Sequence, residues 1–390
     1  MHKLRCGIVG YGFIGPHHAD AIRRLGFAEV HGICTSSLEE SRAKADRDGI
    51  PKVYATIEDL VHDPEIDVVD IAAPTQIHVI AAVAAIQAGK PVIVDKPLAA
   101  NAADARILLK AAETAGVPHA VTFNYRFNAM VQHARVLVEQ GAIGDLHLVH
   151  GHYLQEWLLY PEDFNWRVEP ENTGPAAMMG DAGCHWFDLV EFVTGLRVTE
   201  LLADFSTTIP VRKRPVSGGR EAFADATGGA TEDYEVKVPD RGTVLLRFSN
   251  GARGIFTTSS LCAGHKNDLR WELNGRKASM AWEQETPNNL WMGHRNAPDQ
   301  TIRRDSSLVD PSVRRFVALP GGHNEAWPDA FRNLMREIFA FIASGAKMDP
   351  AVSTFPTFAD GLRAAEITEA MLASSAEGGV WRSVPAIGIK

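Results

Sequence analysis

The sequence predicts an α/β protein in two parts: residues 1–124 as a doubly wound parallel sheet, and residues 125–390 as an α+β domain on a mostly antiparallel, open sheet. Three observations carry this. Through residues 1–124 short continuous apolar runs alternate with helical segments, the pattern of strands buried on both faces of a parallel sheet. The segment GYGFIG falls between the first such run and the first helix. Beyond about residue 145 the rhythm changes to apolar–polar alternation punctuated by Asn-Gly pairs, which suit antiparallel hairpins.

In order, LRCGIVG reads as a strand, PHHADAIRRLG as a helix, VHGICT as a strand, LEESRAKADRDG as a helix and IDVVDIAAP as a strand. HVIAAVAAIQAGK, PVIVDKP, NAADARILLKAAETAG and HAVTFNY continue as helix, strand, helix and strand. Right-handed crossovers then set the carboxyl ends of the strands along one sheet edge, where this architecture binds ligands. In the second part LHLVHGHYL, VTELLADFSTT, GTVLLRFS, ARGIFTTSSL and DLRWELNG read as strands, with hairpin turns expected at Asn250-Gly251 and Asn274-Gly275. Two helices complete it. HWFDLVEFVTG is stopped by Gly195, and DAFRNLMREIFAFIASG carries Phe331, Leu334, Met335, Ile338, Phe339 and Ile342 on one face. Residues 212–230, Gly-rich and polar, are expected to form a mobile loop.

A chain of 390 residues exceeds one ordinary core, and 45% hydrophobic with 22% charged residues is enough to bury two. The net charge of -9 leaves no basic stripe to displace counterions from a nucleic acid, and Arg212–Arg214 is too short a run to reverse that. No uninterrupted apolar stretch of about 18 residues exists, and MHKLRCGIVG enters a strand at once, so a cytoplasmic protein with no membrane partner is expected. The four cysteines, Cys6, Cys34, Cys184 and Cys262, form no C-x-x-C pair, so neither a disulfide framework nor a metal is expected.

GYGFIG is G-x-G-x-x-G in the strand-to-helix setting that gives it chemical meaning: Gly10 for the tight turn, Gly12 for backbone approach to a pyrophosphate, Gly15 for helix–strand packing, with Phe13 and Ile14 between. A Gly-rich turn with no ligand is the bland alternative. This is the fingerprint of a Rossmann dinucleotide site. At the second strand's tip Thr35, Ser36 and Ser37 stand where an acid would mark NAD, and Arg42 follows. The arrangement leaves room for a 2′-phosphate and tips the choice between NAD and NADP slightly to NADP, although Arg42 equally fits a solvated helix charge. The third strand runs into Pro74, Thr75 and His78, and the fourth into Asp95 and Lys96. Lys96 therefore stands at the carboxyl edge, where a lysine near a bound dinucleotide serves as acid or base. Further on, MMGDAGCHWFDL sets Asp181 and His185 four apart, on one face if a helix begins near Ala182. Taken alone, His185 reads as a structural histidine and Asp181 as an N-cap.

Together GYGFIG, APTQIH, VDKP and D-x-G-x-H resemble the glucose-fructose oxidoreductase / inositol dehydrogenase / rhizopine catabolism (Gfo/Idh/MocA) family, over nearly the whole chain. The family's Glu-Lys-Pro is here Asp95-Lys96-Pro97, one methylene shorter. The resemblance implies an NAD(P)-dependent oxidoreductase that moves hydride between nicotinamide and a carbinol or carbonyl carbon of a sugar, cyclitol or related polyol. It implies Lys96 in the acid–base role, with Asp181 and His185 positioning the hydroxyl and relaying its proton. Thr75 and His78 then lie near the cofactor. Asn124, Tyr125 and Arg126 lie beside the substrate, Trp166 and Arg167 over the site, and Trp157, His323 and Asn324 along the pocket. A homodimer or homotetramer is implied as well. Two alternatives stand: a non-catalytic cofactor-sensing regulator of the same fold, and a reductase of an amino-acid-pathway substrate, for which Arg126 and Arg167 are the only nearby cations.

Overall fold

The structure is a computed structural model that describes residues 3–216, 229–349 and 353–385. The chain divides into two compact units, the first of Met1–Asn124 with Phe331–Ala365, the second of Tyr125–Ala330 with Glu366–Gly388.

The first unit alternates β1 (Leu4–Val9), α1 (Gly15–Arg23), β2 (Ala28–Cys34), α2 (Leu38–Asp48), β3 (Lys52–Val53), α3 (Ile57–His62), β4 (Val68–Ile71), α4 (Thr75–Gln87), β5 (Val92–Val94), α5 (Ala102–Ala115) and β6 (His119–Val121). Its strands pair in parallel in the order β3-β2-β1-β4-β5-β6, the Rossmann order. The apolar runs are continuous because the central strands are covered on both sides: Cys6, Ile8, Ile33, Val68, Val69, Ile71, Ile93 and Val94 are all buried. Ser37, Thr56 and Asn101 cap α2, α3 and α5 by accepting the amides of Glu40, Asp59 and Asp104, so each crossover helix starts where its sequence sets a polar cap. The short β3 and α3 carry too little periodicity to be read from sequence.

His119 gives this unit a pH dependence. Its Nδ1 accepts the Phe358 amide at 3.1 Å, which requires a neutral ring. Burial, opposed by Asp360, lowers its pKa to about 4. Because the folded value lies below the unfolded one of about 6.5, the acidified unfolded chain binds the extra proton. The stabilisation is complete above about pH 6.5 and falls by about 3 kcal/mol as pH drops toward 4. Urea unfolding at pH 7 and pH 4.5 is expected to show this loss, and H119N, which keeps an acceptor without a titrating ring, is expected to flatten it.

The second unit begins with α6 (Ala129–Glu139), β7 (Leu146–Leu154), α7 (Pro170–Thr173), α8 (Met178–Asp181), α9 (Gly183–Thr194), β8 (Val198–Ser206), β9 (Val211–Pro215) and β10 (Thr231–Glu235). It continues through β11 (Arg241–Phe248), β12 (Arg253–Ser259), β13 (Asp268–Gly275), β14 (Ser279–Glu283), β15 (Asn289–Gly293) and β16 (Gln300–Arg303). After α10 (Trp327–Ser344) and α11 (Phe358–Ala376) comes β17 (Arg382–Ser383). The large sheet runs β16-β15-β14-β13-β7-β12-β11-β8-β17, antiparallel except for the β7–β12 pair. Helix α9 lies close against it. Trp186 stacks on Phe256 at 4.7 Å and donates from Nε1 to the Arg270 carbonyl, and Gly151 leaves the room, since a Cβ there would stand 2.1 Å from that oxygen.

Three expectations are corrected. The β13–β14 turn falls at Arg276 and Lys277, not at Asn274-Gly275, which end β13; Gly275 is instead pressed against the Ile143 carbonyl, 2.1 Å from where its Cβ would be. Arg212–Pro215, read as the start of a loop, form β9 and pair with β10; residues 217–228 lie outside the described residues. Phe331–Ala365, placed in the second domain from sequence, belong to the first unit. An amphipathic stripe says that a face is buried, not against what: the Phe331 ring meets His18 tilted, at 4.7 Å between centroids, and Gly361 fits against Leu98. Among the described residues no helix is long and apolar enough to cross a membrane, and all four cysteines are free thiols.

Candidate active site

The glycine turn of the first unit is shaped for an anion. Gly10 adopts φ +83°, its amide donates to the Cys34 carbonyl at 2.8 Å, and a Cβ would stand 2.6 Å from the Ala73 Cα. Gly15 is tight against Gly10 and Tyr11, whereas a Cβ on Gly12 would meet nothing within 4 Å. Ile14 precedes α1 without a side-chain cap and Pro16 occupies its first turn, so the helix start is left to an external acceptor. These features fit a dinucleotide pyrophosphate. Phe13 is exposed beside the turn, edge-on to His17.

At the tip of β2 the side chains are tied down. The Thr35 amide bonds Ser41 Oγ at 3.0 Å, and Ser37 accepts the Glu40 amide at 3.1 Å. Ser36 Oγ donates to the Glu40 carboxylate, whose other oxygen takes Lys44. Lys44, then Ser36, hold Glu40 below the usual glutamate range. The acid absent from the strand tip therefore arrives from the first turn of α2. Arg42 is exposed and makes no hydrogen bond or ion pair with the described residues.

Thr75 opens α4 directly after Pro74. The buried His78 ring lies 2.9 Å from the carbonyls of both Ala73 and Pro97. It clamps the turn after β4 to the peptide that follows Lys96, which makes it a support rather than a surface for ligand. Burial lowers its pKa, against Asp95 and the backbone carbonyls that pull the other way. Asp95, read as a cofactor contact, instead accepts Thr122 Oγ1 at 2.5 Å and faces His18 Nε2 at 3.7 Å. Lys96 is half-buried at this edge. Asn124 is buried with an Nδ2 that finds no partner among the described residues, a donor that a ligand would satisfy.

In the second unit Asp181 ends α8 and His185 lies in the first turn of α9, with the break at Ala182. The start of α9 has no side-chain cap, so Asp181 is not its N-cap. Its carboxylate meets Arg167 Nε at 3.2 Å, and that guanidinium lies over Trp166 at 4.5 Å. Helix α9 is buried on nearly every side, so His185 is enclosed. Tyr125 meets its ring edge-on at 4.8 Å, with Tyr153 behind. Tyr125 donates to Tyr153, Tyr153 to Asn267 Oδ1 at 2.6 Å, and Asn267 Nδ2 back to Tyr125 at 3.0 Å. Burial and Tyr125 push the Tyr153 phenol up, so it stays protonated. Tyr153 and Asn267 escaped the sequence reading because they lie on distant strands.

Arg126, read as a substrate cation, is engaged elsewhere: it forms a two-point pair with Asp188, Nε to Oδ2 at 2.7 Å, and lies over Phe192 at 5.0 Å. A hollow of about 350 Å³ beside Asp181 is lined by Trp157, Leu158, Arg167, Met178 and Arg212, among others. Arg212 is fully buried and donates to the carbonyls of Leu158, Tyr160 and Asp163. His323 and Asn324 are exposed in the loop before α10 and line no part of this hollow. Among the described residues no group of three or more His, Cys, Asp or Glu is arranged to hold a metal ion.

Residues 4–123 match the model of the oxidoreductase family with an NAD-binding Rossmann fold, and residues 131–281 that of the GFO/IDH/MocA C-terminal domain. Levoglucosan dehydrogenase of Pseudarthrobacter phenanthrenivorans is 30% identical over 99% of this chain and 100% of its own. The chain belongs to the Gfo/Idh/MocA family of NAD(P)-binding oxidoreductases. A solved levoglucosan dehydrogenase in complex with NADH and levoglucosan superposes with a TM-score of 0.87 at 26% identity, covering 99% of this chain and 100% of that one. Myo-inositol 2-dehydrogenase of Thermotoga maritima is 26% identical over 70% of this chain and 73% of its own.

Proposed function

We propose that this oxidoreductase is an NAD-dependent dehydrogenase of a neutral sugar, cyclitol or related polyol, interconverting a CH–OH group and its carbonyl. The observation that carries the neutral substrate is the commitment of the arginines around Asp181 and His185. Arg167 faces Asp181, Arg126 holds Asp188, and Arg212 is spent on three carbonyls. A carboxylate or phosphate substrate needs a cation ready to pair with it. Aromatic rings and hydrogen-bonding groups suit a hydroxylated ring instead. The sugar and cyclitol dehydrogenases among the relatives support the same class.

Gly10, Gly12, Gly15 and the start of α1 would hold the pyrophosphate, with Phe13, Ile14, Pro74 and Thr75 alongside. When bound, NAD supplies the hydride acceptor. Lys96 takes the hydroxyl proton on Nζ, or returns it in the reductive direction. Asp181 orients the hydroxyl, and His185, steadied by Tyr125, shares in handling its proton. A panel of levoglucosan, myo-inositol, glucose and a hydroxy acid, followed by the absorbance of reduced nicotinamide with each cofactor, tests this. Turnover of the hydroxy acid alone would overturn it.

Glu40 favours NAD over NADP, since a carboxylate beside Ser36 accepts the ribose hydroxyls and repels a 2′-phosphate. NADH and NADPH binding, measured by fluorescence titration, is expected to move toward NADPH in E40A, changing the ratio of dissociation constants by roughly tenfold or more. An unchanged ratio removes Glu40 from cofactor choice.

A further inference from the structure

The hollow beside Asp181 is walled by stretches of the second unit that are far apart in sequence. Leu158, Val168, Ala177, Val236 and Val238 line it and belong to one buried apolar cluster, against which Trp157 packs. Trp157, Arg167, Asp181 and Pro239 are half-buried and every other lining residue is buried, so these four mark the rim. The Trp157 indole is fixed by donating from Nε1 to Gln155 Oε1 at 3.0 Å. Inside the rim the polar groups are already committed. From β9, Arg212 braces the wall by donating through Nη1 and Nη2 to the carbonyls of Leu158, Tyr160 and Asp163, and only its Nε is without a partner among the described residues. Asp240 accepts the Thr208 and Ile209 amides, and Ser260 Oγ donates to the Asp240 carbonyl at 3.5 Å. A hydroxylated ring entering this space would exchange its water for a lining with one uncommitted nitrogen donor, which is unfavourable. An apolar group gains in proportion to the surface it removes from water.

We infer that this hollow is a subsite for an apolar substituent of the substrate, which makes the substrate class an aryl or alkyl glycoside in place of a free sugar. The inference rests on the dehydrogenase reading through Asp181. The carboxylate that orients the reacting hydroxyl stands on the rim, so a sugar held there has its substituent within reach of the apolar walls. Arg167, 3.2 Å from Asp181, keeps the rim polar while the interior is not, the contrast that suits a molecule hydroxylated at one end and apolar at the other. The space of about 350 Å³, counted to its open side, admits a phenyl ring or a short alkyl chain.

Isothermal titration of the full chain with NADH bound, using glucose, methyl β-D-glucopyranoside and phenyl β-D-glucopyranoside as ligands, tests this without turnover. The phenyl glucoside is expected to bind about tenfold or more tighter than glucose, the scale on which a fitted apolar pocket discriminates. V238F fills the hollow and is expected to bring that ratio to within about threefold. Equal affinities for the three ligands in the wild type, or no binding of any of them, overturn the inference. So does a phenyl preference that V238F leaves intact, which would seat the substituent elsewhere. A mere packing void in the apolar cluster would give no phenyl preference and a higher Tm in V238F. If V238F does not fold, V238L narrows the same space with one more methylene and is expected to cut the preference by about threefold, an unchanged preference again overturning the inference. Phenyl glucoside that binds tightly without being oxidised sets aside the dehydrogenase reading alone. Turnover of myo-inositol or glucose with no preference for the phenyl glucoside sets aside this one alone.

Discussion

Lys96→Met is expected to lower kcat by a factor on the order of 10²–10⁴, the usual size of a general acid–base contribution, while NADH binding stays within about threefold of wild type. Methionine is unbranched and close to lysine in length, so it preserves the half-buried packing before Pro97 and removes only the group that carries a proton. K96R sharpens the test, because guanidinium keeps the charge but does not deprotonate in the working range. Both variants are expected to be inactive and both to retain cofactor. Steady-state kinetics on whichever polyol the panel identifies, beside fluorescence titration with NADH, checks this. Wild-type turnover by K96M would take Lys96 out of the chemistry, and lost NADH binding would make it a cofactor anchor.

What the sequence revealed and what it hid follow from the range of the interactions. The parallel sheet was legible because strands covered on both faces must be continuously apolar, and the glycine turn because its residues are contiguous. Local capping was legible too but was read incompletely. Ser37 and Glu40 form an S-x-x-E pattern at the start of α2, in which the glutamate folds back toward the loop, so the acid near the strand tip is encoded one turn beyond it. Asp70 is a charge inside the apolar run IDVVDIAAP that the sequence reading passed over, and its partner His18 lies 52 residues away. The Tyr125, Tyr153 and Asn267 triangle spans up to 142 residues, and no periodicity encodes it. The one-sided stripe of α10 foretold burial but not the unit that supplies it, and Arg126 looked like a substrate cation only because Asp188 is 62 residues on.

The glycine fingerprint itself divides into a structural and a functional residue. Gly12→Val is expected to leave Tm within about 2 °C of wild type, since a Cβ there meets nothing within 4 Å, yet to weaken NADH binding by on the order of a hundredfold, because it fills the space a pyrophosphate needs. Gly10→Ala is expected to do the reverse first. Its φ of +83° disfavours any Cβ, and the obstacles at 2.6–2.7 Å are backbone atoms of Ala72 and Ala73, which cannot swing aside as a side chain would. A loss of about 3 kcal/mol follows from strain and clash together, with cofactor affinity falling as a consequence of a displaced turn. Calorimetry and NADH titration on the two variants separate these effects. Normal NADH affinity in G12V would place the dinucleotide elsewhere on the chain. Normal stability in G10A would mean that the turn after β1 relaxes, and that the close approach of Gly10 to Ala73 is not what fixes the path of the backbone at the cofactor.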